Sequence, residues 1–259
     1  MNQEPSSAKG RTKKAEERAF LLMHYDAGWR AAKGITCLAG VDEVGRGALA
    51  GPLVAAAVIL PENTFLPGLD DSKRLLPAER LAVAKKVAAL AWCWSVAFVP
   101  AGFIDAHGLT AANAAAMRTA VSALPLLPEL VLSDGYPIGD CPWPNVAVVH
   151  GDGLSQSIAA ASCLAKVVRD AWMKHLGEEL YPGYGLERNA GYATAEHRRA
   201  VAALGITAEH RLLFLSGGEK PKKQVTAAGV LFASRGEEEA VQMALFTGGE
   251  GKGAKQYAG

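Results

Sequence analysis

At 259 residues the chain holds one large domain or one domain with appendages, and with half its residues hydrophobic it can bury a sizeable core. A formal net charge of +1 argues neither for nor against a nucleic-acid partner, because local basic clusters are hidden in the sum. Cys37, Cys93, Cys141 and Cys163 lack CxxC spacing, which tells against a disulfide framework or a zinc site, and no apolar run reaches membrane-spanning length. The polar N-terminus has no signal-like apolar core, so a reducing cytoplasm is the expected compartment.

Residues 1–15 are rich in Ser, Lys and Glu and are expected to be disordered. A helix is predicted from Ala15 to Ala32, with Phe20, Leu21, His24 and Tyr25 near one face; residues 1–34 then form an N-terminal extension. Cys37–Val41 and Leu53–Leu60 are near-continuous apolar runs, the pattern of strands buried on both faces. Pro77 opens a helix over Ala78–Leu90. A third strand, Ala91–Val99, carries Trp92 and Trp94, which alternation places on one face. Gly108–Leu124 reads as a second helix, with Leu130–Ser133 and Val146–Val149 as short strands. Ser155 or Ser157 caps a long helix running to about Leu176. Tyr181–Thr194 is a Gly/Tyr-rich loop and Ala195–Leu204 a short helix. Beyond Gly217 the composition turns to Lys, Glu and Gly, so residues 218–259 are expected to be a flexible tail. Five strands with intervening helices indicate an α/β sheet covered by helices.

One device recurs three times: an apolar strand that stops at an acid next to or near glycine. The instances are Asp42-Glu43, Asp134-Gly135 and Gly151-Asp152. Functional groups of open α/β sheets gather at strand ends. Four carboxylates meeting there repel one another unless cations intervene, and oxygen ligands without His or Cys suit Mg²⁺ or Mn²⁺. Two such ions ~4 Å apart can activate water and stabilise a leaving oxygen in phosphodiester hydrolysis. The turn Gly45-Arg46-Gly47 adds backbone N–H groups and one cation next to the first acids, which suits a phosphate. The competing structural reading of Asp42-Glu43 is a solvated hairpin end.

Several stretches together resemble the bacterial ribonuclease HII family: GVDEVGRGALAGPLVAAAV at 40–58, LDDSKRL at 69–75, SDG at 133–135, GDGLSQSIAAASCLAKVVRD at 151–170 and YPGYGLERNAGYATAEH at 181–197. The related ribonuclease HIII family has a Gly-Lys-Gly turn and an extra N-terminal domain, so Arg46 and the short N-terminus favour HII. The resemblance spans about residues 35–214. It implies an RNase H-like fold, a mixed five-stranded sheet flanked by helices with a small helical C-terminal part, over residues 35–217. The implied substrate is RNA paired with DNA, including a single ribonucleotide embedded in duplex DNA, cleaved 5′ of the ribonucleotide to leave 3′-hydroxyl and 5′-phosphate ends. By position, Asp42, Glu43, Asp134 and Asp152 are the implied catalytic and metal-binding acids, with Asp42 as the bridging ligand. Gly45, Arg46 and Gly47 resemble the element that reads the ribose 2′-hydroxyl, and Tyr192 the tyrosine that stacks on the following sugar.

Other residues are open to two readings. Lys73 is either a phosphate contact or a surface lysine before a helix. Lys166 and Asp170 are spaced for an i, i+4 ion pair as readily as for substrate contact. His197 and His210 are available for proton transfer or for structural hydrogen bonds. Asn189-Ala190 and Arg211-Leu212-Leu213-Phe214 depart from the family's common His-Lys and Arg-Arg-Ser-Phe.

In the tail, Gln242-Met243-Ala244-Leu245-Phe246 resembles the Gln-Leu-x-Leu-Phe peptide that docks in bacterial sliding clamps, with Gln242, Leu245 and Phe246 as anchors. The alternative is a tail helix packed on the body. A monomer with no membrane partner satisfies all of this. Two rival functions remain: an RNase H-like nuclease acting on DNA alone, and a catalytically silent nucleic-acid-binding or clamp-associated adaptor.

Overall fold

Ala-rich strands and an Ala-rich helix let the backbones of this molecule approach closely, and the site is built on that closeness. The structure is a computed structural model describing residues 6–70, 72, 74–215 and 229–234, with side chains described within 13–215. Its central strand, β1 (Leu38–Val44), pairs antiparallel with β2 (Leu53–Ile59), setting Asp42 opposite Ala56 and Glu43 opposite Ala55. Helix α2 (Pro77–Leu90) leads to β3 (Cys93–Val99), which is antiparallel to β2. Helices α3 (Ala101–His107) and α4 (Leu109–Ser122) then carry the chain to β4 (Leu130–Asp134), parallel to β1. Strand β5 (Asn145–Val148) is parallel to β4. The mixed sheet has the order β5-β4-β1-β2-β3-β6, with β6 (Gly229–Ser234) at its far edge.

Alternation along β2 sends Val54, Ala56 and Val58 into one core and Leu53, Ala55, Ala57 and Ile59 into the other. Helix α5 (Gln156–His175) covers the first face with Ala159, Ala160, Ala161 and Ala165, and α2 packs beside it. Helix α4 covers the second face with Ala112, Ala116 and Ala120. At Gly40 the approach is closest. A Cβ there would lie well inside van der Waals contact with the backbone of Ser157 and Ile158.

The N-terminal helix, α1 (Ser6–Lys33), docks on α5 through a buried acid. Asp26 accepts from Ser155 Oγ at 2.6 Å, Ser157 Oγ at 2.6 Å and Ser157 N at 2.8 Å. It thus adds a carboxylate to the N-terminus of α5, where Ser155 is already the cap. Burial pushes the Asp26 pKa up against these stabilising bonds.

Several expectations need correction. Helix α1 begins at Ser6, so residues 6–15 are helical, because Ala8, Lys9, Arg11 and Lys13 extend the same helix-forming run. Strand β1 runs on to Val44, which puts Asp42 and Glu43 inside it, paired with β2. Trp94 lies in the α5-side core but Trp92 packs on the α4-side core, since Trp92 precedes β3 and strand alternation does not reach it. Within the expected loop 181–194 lies a short helix, α6 (Leu186–Asn189). The expected five strands are joined by a sixth, β6 (Gly229–Ser234), from the stretch read as tail; it pairs antiparallel with β3 and covers that edge. The chain also forms α7 (Ala195–Leu204), capped by Thr194, and α8 (Leu212–Leu215). All four cysteines are free. Among the described residues no helix is long and apolar enough to cross a membrane.

Candidate active site

The parallel pairing of β1 with β4 brings Asp42 and Asp134 to the same end of the sheet. After β5 the chain reverses through His150, whose φ of 55° is costly for a side chain with a Cβ, and enters the 3₁₀ turn Gly151–Gly153. Gly151 N donates to Asp134 Oδ1 at 2.6 Å, tying that turn to β4. The result is that carboxylate oxygens of Asp42, Asp134 and Asp152 all lie within 4.8 Å of one another.

Burial raises the Asp42 pKa well above the ordinary carboxylate range, and the charges of Glu43 and Asp134 push it the same way. Hydrogen bonds from Ser162 and from Glu43 N, the latter at 2.7 Å, oppose the rise without cancelling it. This donor set is anionic, oxygen-only and enclosed, which fits a hard divalent cation. Glu43 stands apart from the trio. Its register points it to the opposite face of the sheet, where Arg46 Nη1 lies 3.8 Å from Oε1 and Asn113 of α4 is a hydrogen-bond partner. Burial and the Asp134 charge raise its pKa, while Arg46 draws it down.

The Gly45-Arg46-Gly47 turn rests on two arginines buried beneath it. Arg169 of α5 donates from Nε to Pro52 O at 2.9 Å, from Nη1 to Ala190 O at 2.9 Å and from Nη2 to Ala50 O at 3.3 Å. Arg211 donates to Gly51 O at 2.8 and 3.0 Å and to Arg46 O at 3.0 Å. Gly45, at φ 86°, has no room for a Cβ because the Arg169 guanidinium fills that space. Burial lowers the pKa of both guanidiniums, that of Arg211 to about 9. Lysine cannot reach three carbonyls with one ammonium. Arg169→Lys is therefore expected to cost about 3 kcal/mol, the scale of two lost charged hydrogen bonds, read as a fall in the denaturant midpoint.

Tyr192 sits beside this platform, its ring 5.5 Å from Arg169 Cζ and 6.0 Å from Lys166 Nζ. Lys166 is paired with Asp170 at 2.6 Å, as the i, i+4 spacing allows, and Arg80 reaches Asp170 at 3.4 Å. Behind Tyr192, His197 and His210 form a buried pair 3.1 Å apart. Burial, followed by the His197 charge, lowers the His210 pKa from 6.5 to about 4; Tyr184, Thr207, Glu209 and Arg211 are its other near neighbours. A depressed histidine pKa stabilises the fold fully above pH 6.5, and that stabilisation is lost as pH falls through about 4. The melting-temperature gap between the wild type and His210→Gln is expected to narrow over that window.

Lys73, Gln242, Leu245 and Phe246 lie outside the described residues. Other contributors were not singled out from sequence. Arg18 of α1 donates to Gly153 O at 2.6 Å and to Asp70 at 3.1 Å, bridging the loop after Asp152 and the segment before Lys73. Tyr136, two residues after Asp134, lies under Arg46 with Cζ 5.1 Å from its ring. Asn113 and Ser162 orient the two β1 acids. Only Tyr136 left a local signal, an aromatic beside Asp134-Gly135; the rest depend on long-range packing.

Residues 39–216 match the family model described as Ribonuclease HII. The chain belongs to the ribonuclease HII family. It is 47% identical to "Ribonuclease HII" of Geobacillus kaustophilus over 206 residues, 80% of this chain and 78% of that one. It is 43% identical to the Bacillus anthracis protein of the same name, over 78% of this chain and 77% of that one. Among solved structures, the Pyrococcus horikoshii ribonuclease H2 matches with a TM-score of 0.56 at 23% identity, over 67% of this chain and 92% of that one. The ribonuclease HII solved with PCNA from Archaeoglobus fulgidus matches with a TM-score of 0.59 at 24% identity, over 73% of this chain and 98% of that one. These structures share the fold; the family carries ribonuclease H endonuclease activity.

Proposed function

We propose that this chain hydrolyses the RNA strand of RNA–DNA hybrids and cuts 5′ of single ribonucleotides in duplex DNA, leaving 3′-hydroxyl and 5′-phosphate ends, in the service of ribonucleotide removal. The observation that carries the reading is the meeting of Asp42, Asp134 and Asp152 within 4.8 Å beside an arginine-bearing turn. Asp42, Asp134 and Asp152 are the proposed ligands for divalent ions, with Glu43 completing the set from the other side of β1. Two Mg²⁺ or Mn²⁺ ions bound there supply Lewis-acid chemistry, acidifying water and neutralising charge at the departing oxygen.

The chain's own residues supply position. Gly45, Arg46 and Gly47 present backbone and guanidinium donors to the ribonucleotide, and Arg169 and Arg211 hold that turn rigid from below. Tyr192 offers an aromatic face for the next sugar, so that turn and ring together recognise the step from RNA to DNA. Lys73 is the proposed phosphate contact. The catalytic unit is residues 35–217, acting as a monomer in the cytoplasm.

The test is a labelled duplex with one ribonucleotide, incubated with Mg²⁺, Mn²⁺ or chelator beside an all-DNA duplex. Cleavage at one position, dependent on metal and absent on DNA, is expected. Cleavage of the all-DNA duplex favours a DNA nuclease, and binding without cleavage favours a silent adaptor. The Archaeoglobus fulgidus relative was solved with PCNA, which supports a second proposal: that Gln242, Leu245 and Phe246 dock this chain on a sliding clamp. A peptide of residues 238–249 that gives no heat with the cognate clamp in titration calorimetry disposes of it.

A further inference from the structure

The His197–His210 pair has ends of fixed polarity. At one end Thr207 N and Thr207 Oγ1 both lie 2.9 Å from His210 Nδ1; the hydroxyl can turn either way, but a backbone N–H can only donate. At the other, Tyr192 O lies 3.0 Å from His197 Nδ1, and a carbonyl can only accept. His210 Nδ1 is therefore the acceptor and His210 carries its hydrogen on Nε2. His197 is protonated on Nδ1 and accepts at Nε2 across the 3.1 Å between the rings. One arrangement of hydrogens satisfies every group, with both imidazoles neutral. A second proton would set two N–H groups against each other in a site where the rings are 0% and 2% exposed.

This wire ends on the backbone of Tyr192, and its far end is anchored beside the turn. Arg211 N donates to Leu49 O at 2.8 Å and Gly51 N to Glu209 O at 2.9 Å, so the segment around His210 is bonded to the chain leaving Gly45–Gly47. Gly191 O accepts from Leu49 N at 2.8 Å and Ala50 N at 3.1 Å. Neither histidine touches the acid trio, and neither has a free lone pair with which to take a proton from water.

We propose that His197 and His210 are positioning residues for ribonucleotide recognition: a tautomer-locked pair that holds Tyr192 at a set distance from the Gly45-Arg46-Gly47 turn. The proposal rests on the functional reading of Tyr192 given above. It makes the second step of discrimination, sugar after ribonucleotide, depend on residues that contact neither.

Two substitutions of similar size separate this from a filler role. Asn places its amide nitrogen near the Nδ1 position and retains the bond to Tyr192 O; Gln places it near Nε2 and loses that bond. On a single-ribonucleotide duplex with Mg²⁺, His197→Gln is expected to raise KM about tenfold, the scale of one lost hydrogen bond, with kcat within about twofold. His197→Asn is expected to stay within about threefold of wild type in KM. In a Tyr192→Ala background, His197→Gln is expected to add nothing further. Equal effects of Asn and Gln, a loss confined to kcat, or full additivity with Tyr192→Ala overturns the proposal. If the variants do not fold, ¹⁵N imidazole spectra of the wild-type protein near neutral pH decide it. Nδ1–H on His197 with Nε2–H on His210 supports the wire; the opposite tautomers or a charged ring refute it. An inactive wild type refutes the nuclease reading instead, and leaves the spectra to judge the wire.

Discussion

Asp42→Asn is expected to reduce Mg²⁺-dependent cleavage by more than about 10³-fold and, at the same time, to raise the melting temperature of the metal-free protein. The two effects have one origin. Without a cation, Asp42, Asp134 and Asp152 face one another within 4.8 Å. At that separation two full charges repel by about 3 kcal/mol in an effective dielectric of about 20. The raised pKa of Asp42 expresses the same penalty, with burial as the larger cause. The sign follows by linkage. A carboxyl whose folded pKa lies above its ordinary 3.8 makes the fold lose stability as pH rises from 3.8 through the folded value. Divalent ions should reverse that slope, because they replace the protons the site holds in their absence. Melting curves with chelator and with Mg²⁺ at two pH values check it. Chelated wild type should fall below Asp42→Asn at the higher pH, and Mg²⁺ should raise only the wild type strongly. An asparagine variant less stable than the chelated wild type, or one that cleaves normally, removes the case for a metal site.

Gly40→Ala is expected to destabilise the fold strongly. The added Cβ would meet the Ser157 carbonyl and Ile158 nitrogen, and backbone cannot rotate away as a side chain can. Overpacking of this kind costs about 3 kcal/mol or more, or roughly 10 °C in a domain of this size. The damage reaches function because α5, once displaced, carries Ser162 away from Asp42 and Arg169 away from the turn. Gly47→Ala is the control, since a Cβ there meets nothing within 4 Å and its φ is not positive. Thermal melts of the two variants should differ by nearly the whole Gly40 penalty. Equal melts would mean that α5 does not lie against β1 as described.

These two predictions also divide what was legible in the sequence from what was not. Asp42, Asp134 and Asp152 each end or closely follow an apolar run, and a sheet collects such ends, so the trio could be read without coordinates. Glu43 could be named but its facing could not, because strand β1 continues through it to Val44 and alternation turns it toward Asn113. The two buried arginines illustrate the harder limit. Arg169 and Arg211 carry no local mark of their role, because they reach carbonyls of Ala50 and Gly51 some 120 and 160 residues earlier in the chain. No local pattern encodes such a contact. Trp92 failed for the opposite reason, a local rule extended one residue beyond the strand it governs. Strand β6 was missed because glycine and charge on either side of residues 229–234 mask a short apolar run.

That sixth strand limits how far Gln242 can lie from the sheet. Gln242 lies eight residues after Ser234, and Ser234 is paired with Cys93 at the sheet's edge. Eight residues stretch to at most about 28 Å. If Gln242, Leu245 and Phe246 dock on a clamp as proposed, that partner is confined to the neighbourhood of β3. On the proposed docking, a tether this short would keep the acids at high effective concentration near the partner's duplex, and a longer one would dilute them.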